Sequence, residues 1–303
     1  MATQGNSNQN GRAATEQHTQ KPRNQSQKPP KKGGGLAVRV IAAVVFVPII
    51  FACIYFGNWA LTGLAAFLSA VGIFEYARAV NKRLEHPINY ALVIICALFI
   101  VGVMKWHYEY ALSALLVVFI VIFIVEIFAS YHDVKRAIAT VFGMVYIPVI
   151  FGLFQAFEAI PNGKVYIWMI FVIAFLTDTF AYFVGRFLGR HKLAPAISPK
   201  KTIEGSIGGI VFAVAGMIAY GVVLQQVFHM TLPVISLIVV AVLGSVAGQC
   251  GDLAASMIKR HCDVKDFGKI IPGHGGILDR FDSILFVLPI VYVYASFTFG
   301  YLL

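Results

Sequence analysis

"ALLVVFIVIFIVEIF", residues 114–128, decides the fold class. Apart from Glu126 every side chain in it is apolar, so it shows neither the alternation of a half-buried strand nor the polar face of a helix on a soluble core. An outer-membrane strand would alternate apolar and polar positions over about ten residues. A helix that is apolar all round belongs in a protein core or in lipid. The rest of the chain decides for lipid, because 59% of the 303 residues are hydrophobic and only 13% are charged, against roughly 25% charged in soluble domains.

Working outward, apolar blocks near the roughly 20 residues that span a bilayer fall at about 37–56, 58–77, 88–105, 109–131, 136–158, 165–185, 207–228, 232–252 and 283–303. The expected fold is therefore all-α: a polytopic helical integral membrane protein of about nine transmembrane helices, occupying residues 36–303. Residues 1–35 are rich in Asn, Gln, Lys, Pro and Gly and carry little to bury. They read as a disordered basic cytoplasmic tail. The first apolar block lies too far from the start for a cleaved secretory signal and reads as a retained span.

Orientation follows from the 24 Lys and Arg residues. With a cytoplasmic N-terminus and nine spans, only Lys105 and Lys164 fall on the outer side, which is the positive-inside pattern. The net charge of +10 is accounted for by that bias and by attraction to anionic headgroups, so no nucleic-acid partner is expected. The four cysteines have no paired spacing that suggests a disulfide framework or a zinc site. Trp59, Trp106 and Trp168 lie near the outer boundaries and read as interfacial anchors. Glu75 and Glu126 stand near inner helix ends, where interfacial snorkelling and service to a polar cavity are equally open.

Chemistry concentrates in the second half, about 165–303. Asp178, Glu204, Asp252, Asp263, Asp266, Asp279 and Asp282 all fall at or near the inner face, and topology alone does not require acidic residues there. Asp252 closes the eighth block in "GQCGDLAAS" (248–256), and Asp279 and Asp282 open the ninth in "LDRFDS" (278–283). Two helix ends on one face can bring hard oxygen ligands together around a divalent cation such as Mg²⁺. Helix capping is the competing reading for Asp279 and Asp282. Asp178 lies inside an apolar run, where a carboxylate is costly and usually functional, a hydrogen bond to a neighbouring helix being the structural alternative.

Donors suited to phosphate lie nearby. "SPKKTIEGSIGG" (198–209) offers Ser198, Lys200, Lys201, Thr202 and Ser206, and "PGHGG" (272–276) offers a glycine-rich turn with His274, Gly275 and Gly276. Plain turns and an ordinary N-cap and N1 pair at Ser198-Pro199 explain these stretches equally well, since neither matches a Walker or dinucleotide fingerprint. Lys259, Arg260, Lys265, Lys269 and Arg280 surround the acidic loop. Mixed acids and bases around glycine turns suit a metal–triphosphate and point to phosphoryl or nucleotidyl transfer.

Residues 256–282, "SMIKRHCDVKDFGKIIPGHGGILDRFD", resemble the signature of the phosphatidate cytidylyltransferases, or CDP-diacylglycerol synthases. Ser256, the Lys259-Arg260 and Lys265-Asp266 pairs, the turn at Pro272, His274, Gly275 and Gly276, and the Asp279-Arg280-x-Asp282 ending all stand at the family's spacing. "DTFAYFVGRFLGRHKLAP" (178–195) and "SPKKTIEGSIGG" also resemble family segments. One position departs: Ala255 stands where family members often carry Glu, which leaves the number of metal ions open.

The resemblance implies conversion of CTP and phosphatidate to CDP-diacylglycerol and pyrophosphate, at the cytoplasmic face of the cell membrane. It implies Asp252 and Asp279 as principal ligands of Mg²⁺ or another divalent cation, with Asp282 supporting, Asp178 and Glu204 in reserve behind them, and a second cation open. Lys200, Lys201, Lys259, Arg260 and Arg280 would neutralise phosphates, while Ser198, Thr202, Ser256, His274, Gly275 and Gly276 would line the substrate site. The lipid bilayer is an expected partner, and the oligomeric state, a homodimer included, is open. A CTP-dependent polyprenol or dolichol-type lipid kinase is the rival enzyme. A cation-coupled transporter is the rival of another class, motivated by Asp178 and the number of spans.

Overall fold

The computed structural model describes residues 47–268, 270 and 275–299. The expected tail, the start of the first span, and Lys269, Pro272 and His274 lie outside the described residues. Among the described residues ten α-helices follow one another: α1 (Val47–Phe56), α2 (Asn58–Val80), α3 (Tyr90–Trp106), α4 (Ala111–Ile127), α5 (Val134–Met144), α6 (Ile150–Ala156), α7 (Gly163–Phe187), α8 (Ile203–Phe228), α9 (Val234–His261) and α10 (Leu278–Phe299). A π-turn at Val145–Val149 joins α5 to α6, and the two act as one span, Val134–Ala159. Pro148 sits in that turn, where its missing N–H and its ring are absorbed by the wider winding.

Seven of the described helical segments are long and apolar enough to cross a bilayer, and two shorter apolar helices, α1 and α3, fall where the first and third spans were expected. The polytopic helical membrane fold is thus the one adopted. The helix of the opening stretch, α4, buries only Ala114, Val118, Ile122 and Glu126, a stripe of four-residue spacing that packs inward. Leu112, Leu116, Phe119, Ile120, Ile124 and Ile127 point outward, as a lipid-facing helix requires.

The helices extend beyond the apolar blocks on the side where the acidic residues gather. α9 runs on to His261, past the expected end at 252, and α10 starts at Leu278, ahead of 283. Hydropathy marks where lipid ends, not where helix ends. No glycine or proline interrupts 252–261, so the helix carries Asp252, Ser256 and Lys259 out of the apolar layer on one continuous rod.

Between α7 and α8 the chain forms the only regular extended structure among the described residues, a two-stranded antiparallel hairpin of β1 (Lys192–Ala194) and β2 (Ser198–Thr202). Lys192 pairs with Thr202 and Ala194 with Ser198. The N-cap of α8 is Thr202, whose hydroxyl accepts from the Gly205 N–H at 3.2 Å. Ser198-Pro199 is therefore strand and not a helix start, because Lys200 to Thr202 are held extended by the ladder to β1.

α9 and α10 approach closely beside the acidic residues. A Cβ added at Gly251 would stand 2.5 Å from the Asp282 carbonyl oxygen and 2.9 Å from the Phe286 ring. The carbonyl is helix backbone and cannot swing aside, so any side chain there drives α10 away from α9. Gly251→Ala is expected to destabilise the folded protein by about 1–3 kcal/mol, the usual penalty for overpacking, and to lower the thermal unfolding midpoint in detergent micelles. An unchanged midpoint would show that the two helices do not need this approach.

Candidate active site

A cavity of about 710 Å³ opens between the hairpin and the ends of α7, α8, α9 and α10. Helical periodicity explains which residues reach it. Asp178, Ala181, Tyr182, Gly185 and Arg186 line it from α7, at the spacing of a single helix face. Gln249 and Asp252 come from one face of α9 and Asp279, Asp282 and Ser283 from one face of α10. The hairpin contributes Lys192, Ser198, Lys200, Lys201 and Thr202. Asp252 and Asp279, expected to converge from separate helices, do line one cavity.

Each of these two carboxylates has a lysine of its own. Lys201 Nζ stands 2.7 Å from Asp252 Oδ2 and also donates to the Gln249 carbonyl at 3.4 Å. Asp252 Oδ1 accepts from the Ser256 hydroxyl at 3.4 Å. Lys259 Nζ, on the same helix as Asp252, stands 2.8 Å from Asp279 Oδ1. Asp279 Oδ2 accepts three backbone N–H bonds, from Phe267 at 2.8 Å, Gly276 at 3.0 Å and Gly268 at 3.4 Å. These bonds fasten the loop between α9 and α10 onto the first turn of α10. With three donors for two lone pairs Oδ2 is fully engaged, so these bonds orient Asp279 and leave its remaining acceptor or ligand capacity at Oδ1, beside Lys259.

The environments of the two groups differ. The Asp252 side chain is 31% exposed and that of Asp279 only 4%, so Asp252 is the more open to an arriving ligand. Asp282 is buried, with Oδ1 accepting from the Ser283 N–H at 2.9 Å. Its electrostatic neighbours are Asp252 and Asp178, opposed by Lys259. Asp178 accepts from the Ser283 hydroxyl at 3.0 Å. The structural alternative raised for Asp178, a hydrogen bond to a neighbouring helix, is thus present, and the same residue also lines the cavity.

The donor set suits a hard divalent cation, being all oxygen, drawn from α7, α9 and α10, and backed by hydrogen bonds that set its orientation. Among the described residues, no three carboxylate, imidazole or thiol groups are gathered at ligating distance of one point. Instead Lys201 and Lys259 divide the carboxylates between them.

The remaining expected residues are placed as follows. Arg280 and Ser198 line the cavity, whereas Ser256 and Lys259 touch it through Asp252 and Asp279. Arg260 is exposed and outside the lining, and His274 lies outside the described residues. Glu204 is outside the lining too. It accepts from the backbone N–H of Arg190 at 3.0 Å and pairs with His191 Nδ1 at 2.6 Å, tying the start of the hairpin to the first turn of α8. Gly276 is buried, and Gly275 adopts φ 89°; neither lines the cavity.

Arg186, Lys192, Gln249 and Ser283, with Tyr182, are among the lining residues that reading the sequence missed. Two signals were available. Gln249 precedes Asp252 by three residues and Arg186 follows Asp178 by eight, both on-face helical spacings. Lys192 could not have been found this way, since only the hairpin register sets its direction.

Comparison with known proteins shows the family. The chain is 36% identical over 264 residues to a protein of Bacillus subtilis named phosphatidate cytidylyltransferase, covering 84% of this chain and 93% of the relative. Proteins of the same name from Staphylococcus epidermidis and Staphylococcus aureus are 36% and 35% identical over 255 and 258 residues, covering 83% of this chain and 94% of each relative. The sequence model of the cytidylyltransferase family matches residues 37–298, and the chain belongs to that family.

Proposed function

We propose that this protein transfers the cytidylyl group of CTP to the phosphate of phosphatidate, releasing pyrophosphate and leaving CDP-diacylglycerol in the membrane. The observation that carries the reading is the cavity between the hairpin and the helix ends, which Asp252, Asp279 and Asp282 line together with Lys200, Lys201, Lys192, Arg186 and Arg280. A phosphatidate phosphate oxygen attacks the α-phosphorus of CTP, a new P–O bond forms, and the bond from the α-phosphorus to the bridging oxygen of pyrophosphate breaks. Two polyanions must meet for this, and the basic wall offsets their repulsion. The hairpin lysines and Arg280 would bind phosphates, and Ser198 and Thr202 offer hydroxyls to the same groups.

Asp252 and Asp279, with Asp282 supporting, would hold Mg²⁺ or another divalent cation, which when bound supplies charge stabilisation for the leaving pyrophosphate. Lys259, bonded to Asp279, and Ser256, bonded to Asp252, fix those carboxylates. Glu204 supports the site at a distance by fixing the hairpin. A second cation is left open by this proposal, with Asp178 as the further carboxylate that lines the cavity.

Transport would call for polar groups along a path through the bundle, whereas this cavity lies where the hairpin meets the helix ends. A lipid kinase would share CTP and metal, and the products separate the two. With labelled CTP, phosphatidate and Mg²⁺, pyrophosphate and a CDP-lipid are expected. CDP with a phosphorylated alcohol would replace this reading by the kinase, and chelation of divalent ions should stop turnover. Asp252→Asn is expected to reduce kcat on the order of 100-fold or more while leaving the unfolding midpoint near that of the parent; an active variant would remove Asp252 from the ligand set.

We place the cavity on the cytoplasmic side of the cell membrane. The positive-inside pattern supports this, as does the grouping of the two exceptions on the opposite face. There Lys105 pairs with Glu158 at 2.9 Å and Lys164 donates to the Tyr55 carbonyl at 2.5 Å. In intact cells a membrane-impermeant thiol reagent should label a cysteine introduced at Asn162 and spare one at Arg260. The reverse pattern would invert the topology.

A further inference from the structure

α2 belongs to the half of the chain that carried little chemistry in the sequence, yet its inner end and the turn after it grip the active-site loop at three levels. Glu75 has no exposed surface, and its Oε2 accepts from the Leu278 N–H at 3.0 Å, capping α10 from another helix. One turn on, Arg78 Nη2 donates to the Phe267 carbonyl at 2.6 Å. Beyond the end of the helix, Arg83 donates to the His261 carbonyl at 2.7 Å and pairs with Asp263 at 2.5 Å. Glu75 is therefore not a snorkelling residue.

The Glu75 carboxylate also explains two loop glycines. A Cβ at Gly268 would collide with Glu75 Oε1, and a Cβ at Gly276 with both of its oxygens. The backbone N–H groups of these same two glycines, with that of Phe267, donate to Asp279 Oδ2. At Gly268 and Gly276 the backbone thus lies between two carboxylates: Glu75 on one side fills the space left by the absent side chains, and Asp279 on the other collects the N–H groups.

We propose that Glu75 is a positioning residue for the active site, holding the loop and the first turn of α10 so that Asp279 is presented to the cavity in one fixed orientation. Arg78 serves the same end by holding the Phe267 peptide, whose N–H is given to Asp279. Gly276, expected to approach substrate phosphate, is glycine because Glu75 lies against it. This deepens the cytidylyltransferase reading and rests on it for the meaning of the activity measurements; the structural part stands on exchange measurements alone.

The test combines hydrogen–deuterium exchange with kinetics on the full-length protein in micelles. Glu75→Ala is expected to speed amide exchange in the segment 264–281 by about 10-fold or more, leaving α7 and α8 unchanged, and to lower kcat by about 10- to 100-fold with KM for both substrates within about threefold. Glu75→Gln keeps an oxygen that can accept from Leu278 and should restore both readouts to within about threefold. Gly276→Ala should cost less in the Glu75→Ala background than in the parent, because the collision is gone. Should Glu75→Ala fail to fold, Glu75→Asp, one methylene shorter, is read in the same way.

Unchanged exchange in 264–281, exchange accelerated equally in every helix, a Gln variant as damaged as the Ala variant, or strictly multiplicative losses for the Gly276 pair would each overturn the proposal. A parent protein with no cytidylyl transfer but with the expected exchange pattern would remove the activity reading and leave the Glu75 clamp in place.

Discussion

A carboxylate brought to the edge of an apolar layer must find compensating charge or hydrogen bonds within a few ångströms, because the medium around it screens little and desolvation is expensive. That constraint organises the functional end of this molecule. Asp252 answers to Lys201 and Asp279 to Lys259, while Asp279 adds three backbone N–H groups and Asp178 the Ser283 hydroxyl. The hairpin has a reason in the same terms. A direct connection from α7 to α8 could not carry Lys201 to α9, whereas a short ladder reaching out and back sets Lys200, Lys201 and Lys192 along the rim.

The two lysine pairs are not equivalent. Lys259 is buried beside a nearly buried partner and lies on the same rod as Asp252, so it joins α9 to α10 as a fixed strut. Lys201 comes from the hairpin and faces a carboxylate that is about a third exposed. A pair of this kind contributes little to stability, being screened by solvent, and its flexible, strongly hydrated ammonium can turn to another anion at small cost. The arrangement thus sets a buried, fixed charge pair beside a more exposed one whose cation is freer to turn.

Much of the membrane fold was legible because lipid imposes a crude and reliable rule: about 20 apolar residues for each crossing. The same rule located helix ends poorly at α9 and α10, where the helix continues past the apolar block and carries the site. The acidic trio was legible from its type and position on adjoining helix ends. The hairpin was not, because Ser198-Pro199 before a glycine-rich helix satisfies local N-cap chemistry equally well, and only pairing with β1 selects the extended form. Nor were the glycines at 268 and 276. In sequence Gly276 looks like room for phosphate and Gly268 like a plain loop residue, and the group that requires both is some two hundred residues away on α2.

That distance bears on how labour is divided along the chain. A loop rich in glycine has much conformational entropy to lose on ordering, and although Cys262, Phe267 and Ile277 anchor it in the core, its glycines have no side chains with which to hold their own peptides. Rigidity must then come from outside, and in a membrane protein the available scaffold is the nearest helix end. α2 supplies it with residues at two successive on-face positions, Glu75 and Arg78, one accepting from the helix that follows the loop and the other donating to the loop backbone. A buried carboxylate would be a poor choice for stability alone, since replacing it and its glycine neighbours by packed apolar side chains avoids the desolvation penalty. Its use here makes sense if what is being specified is direction: N–H groups aimed at Asp279 from one side require that the other face of the loop be held by a group small, planar and able to accept.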